Sequence, residues 1–209
     1  MNSAFELFCI FAVQLFVIVD PLAGVPLFLA ITPDNSPQER RAMALRGSLA
    51  AFGVLVFFIL CGSLVTGYFG IETTSVRICG GLLLFVISLE MLYGRATGTG
   101  TSRREERLAE TKADISITPL AFPLLAGPGA IATTLIFSEQ MTSFASLLAL
   151  LAGNALVFTL TGLLLMRADV LARYLGVLGA GIVTRLMGLI MALIAVQYVV
   201  DGIRGVLAP

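Results

Sequence analysis

Six long apolar stretches dominate this sequence of 209 residues, at roughly 4–31, 43–66, 71–93, 115–138, 143–166 and 183–204. A helix that crosses a bilayer needs about 20 consecutive residues that are mostly apolar, and each stretch is long enough. Charged residues make up 12% of the chain, against about 25% in an ordinary soluble domain. The sequence therefore predicts an all-α, polytopic membrane protein with six transmembrane helices in a lipid bilayer.

The residues needed for most familiar enzyme chemistry are missing from the sequence. It contains no histidine, the residue most used for acid–base work near neutral pH and for binding zinc. Its three cysteines, Cys9, Cys61 and Cys79, lie in apolar runs without CxxC spacing, which disfavours a disulfide framework or a metal site. An intramembrane aspartyl protease needs two facing acidic groups, and Asp20 has no partner aspartate near mid-span. We therefore expect neither an enzyme nor a bound cofactor or metal.

The basic residues predict how the chain is oriented. Eleven of the thirteen Lys and Arg residues follow spans 1, 3 and 5, and only Arg77 and Arg204 fall on the other side. The positive-inside rule then places both termini outside the cytoplasm. The hydrophilic segment 94–114 is predicted to be a cytoplasmic linker. Its acidic residues nearly balance its basic ones, so no nucleic-acid partner is expected.

The two halves of the chain, residues 1–93 and 115–209, carry matching prolines, arginines and glycines. The matched pairs include Pro21 with Pro123, Pro26 with Pro128, Arg77 with Arg185, and Gly80 with Gly188. A repeat of three spans must cross the bilayer in the opposite direction in its second copy. The sequence thus predicts two inverted three-helix repeats, an arrangement that recurs in secondary transporters.

Spans 1 and 4 are predicted to be broken helices. A proline lacks an N–H and crowds the carbonyl four residues earlier, so Pro26 frees the carbonyl of Leu22 and Pro128 frees that of Leu124. Irregular backbone at membrane depth is tolerated only where protein or a water-filled cavity covers it. Both breaks are therefore expected to border a cavity.

Such breaks suit a small zwitterion. The first amides of a half-helix attract an anion, and those of Gly129, Ala130 and Ile131, close to Gly127, are the candidates for binding a carboxylate. An ammonium group is expected near Asp20 or the freed carbonyls. Asp20 followed by a proline also fits an N-cap, so capping and a role in substrate or proton binding are both open.

Other polar residues lie inside the spans and have two interpretations. Thr133, Thr134 and Asn154 are deep enough to line a cavity, although such groups also form hydrogen bonds between helices. Arg77 and Arg185 are candidate gate residues that would pair with Glu90 or Asp201, or else arginines that extend toward the interface.

Three segments carry a resemblance to a known family: DPLAGVPLFLAIT, GI-x5-RICGGLLL and PLAFPLLAGPGAIATT. Together they resemble the MarC family of six-span membrane proteins of bacteria and archaea. The resemblance implies a transporter-like fold in the plasma (inner) membrane, and one branch of the family is described as carrying glycine and alanine. The residues shared with the family motifs are Asp20, Pro21, Gly24, Pro26, Thr32, Gly80, Gly81, Pro119, Pro123, Gly127, Pro128, Gly129 and Thr134.

The leading hypothesis is a secondary transporter of small neutral amino acids that works by alternating access and is driven by a proton or sodium gradient. The alternative is a channel or exporter for metal ions, with Asp20, Glu90 and carbonyls as hard oxygen ligands, or for another small solute. A scaffold would leave the two matched breaks unexplained. Homo-oligomerisation is open.

Overall fold

A computed structural model of the protein describes residues 3–93 and 116–207, and it is all-helical over these ranges. The helices, in chain order, are α1 (Ala4–Val19), α2 (Pro21–Ala30), α3 (Pro37–Phe69), α4 (Thr73–Tyr93), α5 (Ser116–Leu125), α6 (Pro128–Ser138), α7 (Phe144–Met166) and α8 (Ala168–Leu207). The predicted linker at 94–114 lies outside the described residues.

The helices provide six candidate membrane spans. Helices α1 and α2 together form the first span, and α5 and α6 form a span with a bend of 59°. The last span is Leu178–Leu207, because α8 is interrupted at Gly176, where φ is 60°. The predicted all-helical architecture with six spans, broken in the first and the fourth, is confirmed.

Local capping chemistry sets the ends of α3. The Ser36 hydroxyl accepts from the Glu39 N–H, the Glu39 carboxylate accepts from the Ser36 N–H, and Pro37 takes the first helical position. This reciprocal pair satisfies two amides that have no partner inside the helix. The helix ends at Gly70, whose φ of 64° is a conformation that glycine adopts without steric cost.

The spans pack in pairs: α4 lies along α8, and α3 lies along α7. Glycines allow the first pair to approach closely. A Cβ at Gly81 would lie 2.7 Å from the Ala195 carbonyl oxygen, and one at Gly202 would lie 2.6 Å from the Ile78 side chain. These pairs join spans that correspond in the predicted repeat, while the inverted symmetry itself stays a prediction.

Apolar side chains fill the interior and also cover the outside. The main core unites α1, α2, α3, α5 and α7 around fully buried residues such as Phe11, Phe28 and Leu55. Large apolar residues such as Leu64 and Leu193 are exposed, as expected for a surface that faces lipid.

Candidate functional site

The first break in the helical structure is Asp20, between α1 and α2. Its backbone is left-handed, with φ 41° and ψ 63°, a conformation in which aspartate is enriched among non-glycine residues. Its N–H donates to the Phe16 carbonyl and ends α1, while its Oδ1 accepts from the Ala23 N–H at 3.3 Å and begins α2. Asp20 therefore caps two helices at once.

The predicted position of this break, at Pro26, is wrong. Pro26 lies inside α2, and the break occurs six residues earlier. Proline has a φ that suits a helix, so α2 continues through it and loses only the hydrogen bond that the Leu22 carbonyl would accept. Leu22 and Pro26 do not line the cavity described below.

The second break comprises residues 126–127, between α5 and α6. Gly127 is extended, with φ −73° and ψ 173°, and it supplies no side-chain cap to α6. The Ile131 N–H donates to the Gly127 carbonyl at 3.1 Å, so the prediction that the Ile131 amide is free is wrong. Because Pro128 has no N–H, the amides of Gly129 and Ala130 are the uncapped donors at this helix start.

Both breaks border one cavity of about 190 Å³, which we call the first cavity. Asp20 and Gly24 face it from the first span, and Leu124 and residues 127–130 face it from the fourth. Apolar side chains of α4 and α8 complete the wall: Leu84, Ile87, Met91 and Met191. These apolar lining residues were missed by sequence reasoning, because nothing in the sequence distinguishes them from residues that face lipid.

Asp20 is the ionisable residue among those that line the first cavity. The residue is 7% exposed, and its Oδ2 is buried without a hydrogen-bond partner in the described structure. A buried polar atom usually has a partner, and a carboxylate inside a membrane span is costly unless it serves a ligand or an ion. Capping α2 therefore leaves one buried carboxylate oxygen of Asp20 without a hydrogen-bond partner in the part of the chain that the structure describes.

Several predicted site residues lie elsewhere. The Thr134 hydroxyl donates to the Ala130 carbonyl of its own helix at 2.8 Å. Asn154 is fully buried between α7 and α3 and donates to the Phe52 carbonyl at 3.2 Å. Neither residue lines the first cavity, and neither does Thr133. A helix that is apolar on all sides gives no sequence signal for which face meets the cavity.

The candidate gate residues do not line one common cavity. Arg77 is half-buried and lines a second cavity together with Asp201, but the two form no ion pair with each other, since Asp201 lies beside Arg204. Arg185 is exposed, and neither Arg185 nor Glu90 lines either cavity. The matched arginines of the two halves thus have different environments.

Five apolar spans and a bent helix pair that makes a sixth, with the first and fourth broken beside a common cavity, define a polytopic, integral membrane protein. The protein belongs to the MarC family: the family model described as "MarC family integral membrane protein" matches residues 5–207.

Relatives from bacteria and archaea match over nearly the whole chain. The chain is 33% identical to the UPF0056 membrane protein YvbG of Bacillus subtilis (strain 168) over 194 residues, which cover 92% of each chain. It is 34% identical to the UPF0056 inner membrane protein YhgN of Escherichia coli (strain K12) over 195 residues, 92% of this chain and 94% of YhgN. It is 35% identical to the membrane protein MJ1677 of Methanocaldococcus jannaschii over 194 residues, 93% of this chain and 94% of MJ1677. No solved structure gives a significant match.

Proposed function

We propose that this protein is a secondary transporter of small neutral amino acids such as glycine and alanine, and that the first cavity binds the substrate. One observation carries the proposal: Asp20, which has an unpartnered carboxylate oxygen, and an uncapped helix start at Gly129 and Ala130 line the same cavity. The two features have opposite electrostatic character, which matches the two ends of a zwitterion.

The substrate carboxylate binds at the start of α6. The Gly129 and Ala130 amides have no side-chain cap, and the partial positive charge of a helix start favours an anion. Gly129 has no side chain, which lets Leu84 of α4 pack against this helix start: a Cβ there would lie 2.5 Å from the Leu84 Cδ2. The substrate ammonium group binds the Asp20 carboxylate on the opposite side.

The remaining wall of the cavity explains the preference for small neutral side chains. Leu84, Ile87, Met91 and Met191 are apolar, so a charged or strongly polar substrate side chain would lose its water without gaining a partner. The size of the cavity, about 190 Å³, favours a small solute.

The energy source is an ion gradient. The sequence contains no GxxxxGK[ST] phosphate-binding motif, and Asp20 is the residue whose charge a coupling proton or sodium ion would neutralise. The pairing of α4 with α8 and of α3 with α7 supports alternating access by two inverted repeats, because it joins corresponding spans of the two halves.

The test is uptake of labelled glycine and alanine by proteoliposomes that contain the purified full chain, with and without an imposed proton or sodium gradient. We expect saturable uptake that one gradient increases and that unlabelled alanine competes. Empty liposomes and an added ionophore are the controls. Absence of flux in protein shown to be folded and inserted would contradict the proposal, and uptake of a metal ion instead would favour the alternative.

A further inference from the structure

A second cavity is lined by helices that also line the first. This second cavity has a volume of about 180 Å³. Its polar lining residues come from α1, α4, the turn after α6, and α8: Gln14, Arg77, Gln140, Gln197, Tyr198 and Asp201. Ile10, Gln140 and Gln197 are exposed, so the second cavity is a pocket with a polar lining that opens to the outside of the bundle.

The two cavities are stacked along the helix axes. On α4, Arg77 lines the second cavity and Ile87 lines the first, a separation of about 15 Å at 1.5 Å per residue. On α8, Asp201 lines the second cavity and Met191 lines the first, with the same spacing along the helix. On α1, Gln14 lines the second cavity and Asp20 lines the first. The cavities therefore occupy two levels of one bundle, with the second nearer the N-terminal end of α1.

A cluster of buried side chains contributes residues to both cavities. This cluster, which we call the apolar partition, consists of Val17, Leu84, Ile136, Met191, Ala195 and Tyr198. Leu84 and Met191 line the first cavity, whereas Ile136 and Tyr198 line the second. The Tyr198 hydroxyl donates to the Gln14 Oε1 at 2.6 Å, which ties α8 to α1 at the partition. A solute that moves between the cavities must open this partition.

Arg77 lines the second cavity with one guanidinium nitrogen that has no hydrogen-bond partner among the described residues. Its Nε is buried and makes no hydrogen bond in the described parts of the chain, and a guanidinium group has five donors that suit a carboxylate. Asp201 lines the same cavity, and one of its oxygens accepts from Gln197 at 2.8 Å. Asp201 also lies 3.9 Å from an Arg204 guanidinium nitrogen outside this lining, so the second cavity has a cation and an anion that are not paired with each other.

We propose that the second cavity is a second binding site for the same class of small zwitterion, with the substrate carboxylate at Arg77 and the ammonium group at Asp201. This inference rests on the proposed function. It adds a site on the other side of the apolar partition, so that the solute occupies two levels in succession as the partition opens.

The test is equilibrium binding of labelled alanine to the purified full chain in detergent micelles. We expect two alanines per chain for the wild type and about one for Arg77→Gln, with the affinity of the remaining site unchanged. Asp20→Asn should also leave about one site. Combining the two substitutions should remove binding. Because Arg185 is exposed and lines neither cavity, Arg185→Gln is the matched control and should retain two sites.

A second variant, Asp201→Asn, tests the same site without depending on whether Arg77→Gln folds. Asp201 lies at the edge of the bundle with its side chain 34% exposed, so Asp201→Asn should fold and should weaken the second site about tenfold, the loss expected for one charge-assisted contact. Thermal unfolding and gel filtration of each variant identify any that misfold.

The outcomes separate the two proposals. One site in the wild type, lost in Asp20→Asn and unaffected by Arg77→Gln or Asp201→Asn, overturns the second site and leaves the proposed function standing. Absence of alanine binding in folded wild-type protein overturns both.

Discussion

The first and the fourth span are both interrupted near their centres, but the two breaks present opposite charges to the cavity they share. At the first break the aspartate side chain caps the new helix itself, and a carboxylate oxygen is left over. At the second break the cap is a glycine without a side chain, and backbone amides are left over. Similar proline-rich segments thus produce an acceptor on one side and donors on the other, and this asymmetry suits a zwitterion.

The largest expected effect comes from removing the charge at the first break. Asp20→Asn should reduce gradient-driven uptake of alanine to the level of empty liposomes. Asparagine accepts the Ala23 N–H and tolerates the left-handed backbone, so the break keeps its shape and loses only its charge. The measurement is uptake in proteoliposomes under the gradient that drives the wild type.

The control for this substitution is Asp34→Asn, the same change at an exposed position between α2 and α3. It should transport like the wild type. If Asp20→Asn shows unchanged accumulation and unchanged ion coupling, Asp20 is only a helix cap, and the two breaks do not differ in the way proposed.

A smaller effect is expected from filling the second break. In Gly127→Ala the added Cβ would lie 2.7 Å from the Pro123 carbonyl oxygen, a backbone atom that cannot move independently. The crowding should lower the stability of the folded protein by about 1–3 kcal/mol and should reduce uptake, because the uncapped amides shift. Thermal unfolding in detergent and uptake by the folded fraction are the two measurements.

Gly53→Ala is the matched control for this change. Gly53 is an exposed residue of α3, and an added Cβ there has no atom within 4 Å. Equal unfolding temperatures for the two variants would show that the second break is not tightly packed and would remove the distinction between it and an ordinary helix position.

The number of spans and the break near Gly127 could be predicted because they depend on local chemistry. Long apolar runs form membrane helices, and the PLLAGPG segment brings two prolines and two glycines close together. The first break was misplaced because a single proline such as Pro26 fits inside a helix, whereas the left-handed turn at Asp20 is held by contacts of both flanking helices.

The lining of the cavities could not be predicted from the sequence. Leu84 and Met191 belong to helices whose apolar residues also cover the lipid-facing surface, so periodicity does not mark their role. Arg77 and Arg185 follow the same sequence pattern, yet one is half-buried in the second cavity and the other is exposed. Only the packing of α4 against α8 distinguishes them.

The smallest expected effect comes from Gly24→Ala, in the helix that follows the first break. Gly24 lines the first cavity, and a Cβ at this position has no atom within 4 Å, so the methyl group of Gly24→Ala would occupy the cavity itself. Glycine uptake should stay within about twofold of the wild type, while alanine should require about a tenfold higher concentration for half-saturation, the lower end of what one methylene contributes in a tight pocket. The same substitution favours the helix by about 0.5–1 kcal/mol, so reduced alanine uptake would not result from unfolding.

The measurement is the ratio of half-saturation concentrations for the two substrates. An equal change for glycine and alanine would place the substrate side chain away from α2 and against the wall formed by α4 and α8.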